Sequence, residues 1–472
     1  MRLVILALLS ISLVAFSIAC GSGETSPTPT LTPSPTPVAT PATTATPTKT
    51  PALTPTPVPT PGTFSRAWVA RYKGPQGGAD WAFDVAVDSS GNVYVTGKSY
   101  DGQGNDYDYA YATVKYAGNG TLLWASRYNG PGGDDDVAQA IALDNQGNVY
   151  ITGKSYNGKH IDYAYATVKY DSNGTQLWAA RYDGAGEKDD IAYALVVDNV
   201  GAVYVTGTSG GDYATVKYDK DGVQRWAARY AGPDGSEDVA VAVGLDGAGN
   251  VYVTGRSGSD FATVKYDSFG GQRWVSRYEG EAKAMAVDVQ GNVYVAGTSN
   301  YQYTTIKYDT NGNQAWVAGY LGKSSGDGEV RAIALDSSGN VYITGRSYSP
   351  SRNHYAYATI KYDSLGRQNW AARFDGAPPA GYGGAMDIAV DGFGNVYVTG
   401  STWYDDWNYV TAAYDSGGTQ LWFEWYDGGQ GVRYDEAAAI AVDKQGNVYV
   451  TGKSDGGSSN ADYVTIKYVP VS

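Results

Sequence analysis

The sequence predicts an all-β chain folded as an eight-bladed β-propeller of four-stranded blades, its ring closed by the N-terminal strand. Three observations predict it. A phrase close to Gly-Asn-Val-Tyr-Val-Thr-Gly begins at Gly91, Gly147, Gly201, Gly249, Gly291, Gly339, Gly394 and Gly446. Its seven intervals cover 355 residues, a period of about 51, which is the mark of a repeat architecture. Each repeat parses into four short strands, and the two ends of the repeat region hold complementary pieces of one blade.

The third repeat shows the four strands compactly. Residues 191–198 read as a first strand ending in Asp198. Asp198-Asn199-Val200-Gly201 has the aspartate first and glycine fourth that a tight turn prefers. Residues 202–206 form the second strand, with Val203 and Val205 on one face and Tyr204 and Thr206 on the other. Residues 207–211 read as a loop, 212–218 as the third strand, Asp219 to Gly222 as a second tight turn, and 224–230, carrying Trp226, as the fourth strand. Four such strands make one propeller blade.

A solenoid is the structural rival, and the ends argue against it. Trp68-Val69-Ala70-Arg71-Tyr72 is a fourth strand with no blade before it, and residues 462–468 are a third strand with no fourth after it. Each end supplies what the other lacks, which closes a ring and removes exposed edges. The count agrees: fourth-strand tryptophans recur at Trp68, Trp124, Trp178, Trp226, Trp274, Trp316, Trp370 and Trp422. They are expected in the core between blades, where losing a fully buried ring costs about 3–5 kcal/mol. The recurring third-strand lysine (Lys217) and fourth-strand arginine (Arg229) read as partners of turn aspartates.

Composition fits an all-β protein: the 472 residues are 42% hydrophobic and include 62 Gly, 42 Tyr and 12 Trp. The net charge of −14 repels phosphate backbones and argues against nucleic-acid binding. Cys20 is the only cysteine, so no intrachain disulfide can form.

Residues 1–19 read as a signal peptide: Arg2 supplies a positive charge and Leu3 to Ala19 an apolar core. The stretch Ser17-Ile18-Ala19-Cys20 resembles the bacterial lipoprotein signal, although that family usually has Leu where Ser17 stands. The resemblance implies lipidation of Cys20. An ordinary cleaved signal and an uncleaved anchor are the alternatives. Residues 20–62 are rich in Pro and Thr, cannot bury a core and favour extended polyproline II. At roughly 3 Å per residue such a segment reaches on the order of 100 Å. Residues 63–472 form the propeller.

The runs from Val87-Asp88 to Gly97 and from Val442-Asp443 to Gly452 closely match the phrase "AVD-x-x-GNVYVTG". In this the chain resembles the bacterial β-propeller repeat (SBBP-type) proteins. The resemblance implies a propeller in an exported protein and no defined activity. That family is often described as seven-bladed, whereas this chain supplies eight repeats.

Candidate sites fall where the repeats differ. First-to-second and third-to-fourth turns are short and uniform and share one face. Second-to-third loops and the connections between blades vary and share the other, where binding usually resides. Short second-to-third loops in repeats three to five and longer ones in repeats six, seven, eight, one and two predict a raised crescent. Trp403-Tyr404-Asp405-Asp406-Trp407 has no counterpart in other repeats. Aromatic planes beside carboxylates suit sugar rings and their hydroxyls. Trp81, Tyr100, Tyr107, Tyr156 and Tyr348 extend that surface; the alternative is that these aromatics pack the loops together.

Eight residues before the end of the first strand stand Asp80, Asp136, Asp190, Asp238 and Asp435. A ring of them could hold Ca²⁺, the one cofactor the sequence suggests. The alternative is that each caps a local turn, and the spacing does not match a dedicated calcium loop. His160 and His354 fall in loops of opposite repeats and read as surface residues. No phosphate loop, zinc spacing or nucleophile elbow occurs, so no catalytic residue is assigned.

The expected function is that of a surface-tethered, non-catalytic binding protein, exported and membrane-anchored by its lipid at the cell surface or in the periplasm. Its partner is a polysaccharide or another surface protein. A propeller polysaccharide lyase or hydrolase and a structural envelope spacer are the other readings.

Overall fold

The computed structural model describes residues 63–471 except 103–107, 159–161, 185–187, 323–327, 350–352, 376–381, 405, 430–433 and 456–459. The signal peptide, Cys20 and the linker lie outside the described residues.

Eight four-stranded antiparallel sheets follow one another around a ring. Each first strand touches the first strands of both neighbouring blades, and the circle closes from the eighth blade back to the first. First strands are therefore innermost. The last blade is completed by residues Thr63–Tyr72, paired antiparallel with Asp462–Val471 from Thr63↔Val471 to Tyr72↔Tyr463. This is the closure that the complementary ends predict. The core is divided between neighbours: Tyr150 and Tyr165 of blade 2, for example, pack on Leu195, Val203 and Val216 of blade 3.

Every residue of the repeated phrase has a local reason. In blade 2, Gly147 takes φ 79°, a left-handed turn position that favours glycine. Asn148 donates its side-chain amide to Asp144 at 2.7 Å, and the Tyr150 hydroxyl donates to the same carboxylate at 2.9 Å. Val149 and Ile151 are fully buried. The Thr152 hydroxyl lies 3.1 Å from that of Thr167 in the third strand. Gly153 faces a β-bulge in the first strand, where a Cβ would drive into the Val137 carbonyl oxygen and the Ala138 Cα.

That bulge recurs in all eight first strands and leaves one residue of each outside the ladder: Phe83, Gln139, Tyr193, Val241, Lys283, Arg331, Met386 and Ala438. Bulges re-aim side chains. Here they set a varied residue at one level of an otherwise repetitive inner wall.

The strands of blade 3 are Asp190–Val197, Val203–Ser209, Asp212–Tyr218 and Gln224–Tyr230. The third and fourth match the sequence reading. The second runs on through Gly207, which reads as loop but is the glycine that the opposing bulge requires.

Three expectations are corrected. The tryptophans pack against the clusters between blades, as expected, but are only partly buried. Each indole from Trp68 to Trp370 donates to a carbonyl in the third-to-fourth turn of the next blade, as Trp178 does to Lys220 at 3.0 Å. Six third-strand lysines donate to those same turn carbonyls, as Lys115 does to Ser172 at 2.9 Å, and not to turn aspartates. His354 is buried, with Nδ1 3.0 Å from the Tyr355 carbonyl oxygen; His160 is outside the described residues.

Candidate functional site

The starts of the first strands and the ends of the second strands meet on the variable-loop face. There, a cavity of about 440 Å³ opens among blades 6, 7, 8 and 1. These four adjoining blades belong to the crescent predicted from loop lengths. The volume lies within the range of small-ligand sites. Bulge residues Phe83, Arg331, Met386 and Ala438 form part of its wall, and Trp81 and Trp407 are on opposite sides of the blade 8 contribution, Glu436 and Lys453.

A second cavity of about 170 Å³ adjoins it over blades 5 and 6. Arg346 and Tyr355 line both. Together they form a groove that is mainly aromatic and apolar at the blade 7–8–1 end, where Glu436 and Lys453 are its charged groups, and ionic at the blade 5–6 end.

Trp81 is held by charge as well as by packing. Lys98, opposite it in the strand register, places its ammonium 4.3 Å from the Trp81 ring and 3.9 Å from the Tyr109 ring. Lys453 of the neighbouring blade sits 4.4 Å from the same indole. Cation–π contacts of this kind strengthen as water is removed. Burial pushes the Lys98 pKa down to about 8; Asp135 opposes this, and Lys154 and Lys453 add to it. Among the described residues Lys98 forms no ion pair, whereas Lys453 pairs with Glu436 at 3.2 Å.

At the other end, Glu329 is shared by two guanidinium groups, Arg331 at 3.0 Å and Arg346 at 2.8 Å. Lys283 pairs with Glu281 at 2.8 Å. Tyr301 closes this end. It is 70% exposed and adopts φ 61°, a left-handed conformation that bulky residues rarely take.

The predicted aromatic segment divides. Trp407 faces the cavity and its carbonyl accepts from the Asp435 amide at 2.9 Å. Trp403, opposite Trp407 in the hairpin, is 44% exposed and outside the cavity wall. Asp406 is buried and accepts from the Asn408 amide at 2.7 Å. Asp405, the Tyr404 side chain and Tyr107 lie outside the described residues. Tyr100, Tyr156 and Tyr348 each pack edge-on against a tyrosine across their hairpin, Tyr109, Tyr163 and Tyr355. Of the predicted aromatics, the structure thus brings Trp81 and Trp407 together.

The five predicted carboxylates are spread over five blades. Asp80 accepts the Gly74 amide and Asp136 the Gly130 amide, both at 2.6 Å; Asp190, Asp238 and Asp435 accept those of Gly184, Gly232 and Gly428. Each is a local cap beside a serine–arginine pair such as Ser99 and Arg127. Burial raises the pKa of Asp80, Asp190 and Asp435, and that of Asp136 to about 6. Among the described residues no three His, Cys, Asp or Glu side chains converge as a metal site would require.

Below the cavity, Asp84 and Asp387 are buried in the inner strands. Asp84 accepts from the Val85 and Ile141 amides, and Asp387 from those of Ile388 and Ile440. Both carboxylates tie one blade to the next. Burial holds Asp84 well above the usual carboxylate range.

Sequence reasoning missed Lys98, Arg346, Lys453, Tyr301 and Tyr355. One signal was present: the position after the last glycine of the phrase reads Lys98, Lys154, Thr208, Arg256, Thr298, Arg346, Ser401 and Lys453, varied where its neighbours are constant.

Among solved structures, similar chains include a protein from Lactobacillus plantarum (15% identity, TM-score 0.49, covering 73% of this chain and 98% of that one). Virginiamycin B lyase from Staphylococcus aureus is 12% identical at TM-score 0.43, over 71% of this chain and 95% of that one. The β-propeller domain of the Trilobed protease from Pyrococcus furiosus is 11% identical at TM-score 0.43, over 70% and 92%. No curated protein matches the chain. The β-propeller repeat (SBBP) family model matches residues 70–102, 123–159, 318–350, 386–406 and 428–458. In these five stretches the chain is similar to the β-propeller repeat family.

Proposed function

We propose that this is a non-catalytic binding protein that holds a polysaccharide in the groove on its variable-loop face. The observation that carries the reading is the convergence of Trp81 and Trp407 on one cavity, with Tyr355 linking it to the second. Flat aromatic faces take the apolar faces of sugar rings, and flanking charged groups take hydroxyls. The extended groove offers room along a chain. In this reading lipidated Cys20 anchors the protein, and the Pro/Thr-rich segment holds the propeller away from the membrane. The test is binding of the purified full chain to a panel of oligosaccharides by calorimetry. Trp81→Ala with Trp407→Ala is expected to weaken binding tenfold or more, while Trp403→Ala changes it less than twofold. Unchanged binding in the double variant would remove the site assignment. Failure to bind any glycan, with co-purification of one protein partner, would replace the reading with that of a protein-binding module.

A further inference from the structure

Basic groups outnumber carboxylates along the groove: Lys283, Arg331, Arg346 and Lys453 against Glu281, Glu329 and Glu436. This is unexpected in a chain of net charge −14. At the blade 6 end, Arg331 and Arg346 share the single carboxylate of Glu329. Arg346 is the more open of the two, with its side chain 45% exposed against 20% for Arg331. It also faces both cavities and stacks 5.0 Å from the Tyr355 ring. At the blade 1 end, Lys98 and Lys453 flank Trp81, while the one carboxylate paired there, Glu436, belongs to Lys453. A guanidinium that shares its only carboxylate with a second guanidinium, and lies beside an aromatic plane, keeps donors for a further carboxylate carried on a ring.

We propose that the ligand is an acidic glycan, whose uronate carboxylate is taken by Arg346 while a neighbouring sugar stacks at Trp81. The proposal rests on the polysaccharide reading and narrows it to one charge class. Arg346 has a natural control. Arg256 holds the equivalent register position in blade 4, opposite Val239, and pairs with Glu237 outside the groove.

The probes are oligogalacturonate and its fully methyl-esterified form, which share a backbone and differ in charge, with neutral cello-, xylo- and manno-oligosaccharides beside them. The readout is Kd by calorimetry on the full chain at two salt concentrations. The expected result is at least tenfold tighter binding of the acid than of the ester, weakening with salt. Arg346→Gln should reduce the preference for acid over ester to less than twofold, and Arg256→Gln should leave both affinities unchanged. Equal affinity for acid and ester, or binding confined to neutral oligosaccharides, would overturn the charge assignment and leave the polysaccharide reading standing. A preference for acid that survives Arg346→Gln would overturn the role of this residue. Binding to none of the probes would overturn the proposal and count against the reading beneath it.

Discussion

Each face of the disc carries its own set of aspartates, and the two sets are held differently. On the uniform-turn face, Asp88, Asp144, Asp198, Asp246, Asp288, Asp336, Asp391 and Asp443 occur in every blade. Each accepts two backbone amides and a tyrosine hydroxyl; for Asp246 these come from Ala248, Asn250 and Tyr252, with the Asn250 side chain adding a fourth. Burial pulls the Asp246 pKa up, but these donors outweigh it and the net shift is downward. On the variable-loop face, Asp80, Asp136, Asp190 and Asp435 have donors too, yet burial wins and their pKa values rise. A turn-face aspartate can thus gather enough donors to offset its burial, as Asp246 does, whereas these four on the loop face do not. Rigidity is built on one face, and the other is left free to vary.

The largest expected effect comes from removing a clamp. Asp144→Ala strands the Gln146 and Asn148 amides and the Tyr150 hydroxyl. It should destabilise the protein by about 3 kcal/mol, given about 1.5–3 kcal/mol per hydrogen bond to a charged group and incomplete additivity. Denaturant unfolding checks this, and a loss below about 1 kcal/mol would mean that the turn face is not the rigid one.

The second effect is a pH dependence set by the loop face. A carboxyl whose folded pKa lies above its unfolded value favours the folded state when protonated. For Asp136 that stability is fully present below about 3.9, the ordinary aspartate value, and is lost as pH rises through about 6. Asp80, Asp190 and Asp435 shift in the same direction. The melting temperature should therefore be higher at pH 5 than at pH 7.5, and Asp136→Asn should flatten the difference. A melting temperature that climbs over this interval would contradict the contrast between the faces.

The smallest effect separates two tyrosines of one blade. Tyr150 donates to the Asp144 clamp, whereas the buried Tyr170 hydroxyl has no partner among the described residues. Tyr150→Phe should cost about 1–2 kcal/mol, and Tyr170→Phe should be neutral or slightly stabilising. Equal losses in the two variants would show that the hydroxyls are equivalent.

The scaffold was legible in the sequence because each blade must solve the same local problems. Gly147, Asn148, Tyr150 and Gly153 recur since a left-handed turn, a clamp and a bulge recur with them. Where one residue serves two purposes, the reading slipped: Gly207 looks like a loop residue and is a strand residue held open for the bulge. The site was less legible. Trp407 stood out because it belongs to a segment that no other repeat has. Arg346 and Lys453 did not, since repeat positions with a basic residue look structural. Their meaning depends on blades 6 and 8 lying on either side of blade 7, and on the inner-wall bulges that turn Arg331 and Met386 towards the same space. Distances across a ring are not written in any local stretch of chain.

The shared last sheet has a consequence for how the molecule assembles. The pairing of Thr63 with Val471 joins residues from opposite ends of the propeller, so it demands the longest loop closure in the fold. Seven blades are each made from contiguous chain. The eighth depends on that long closure, and losing either of its halves would turn a continuous wheel into an arc with two bare ends.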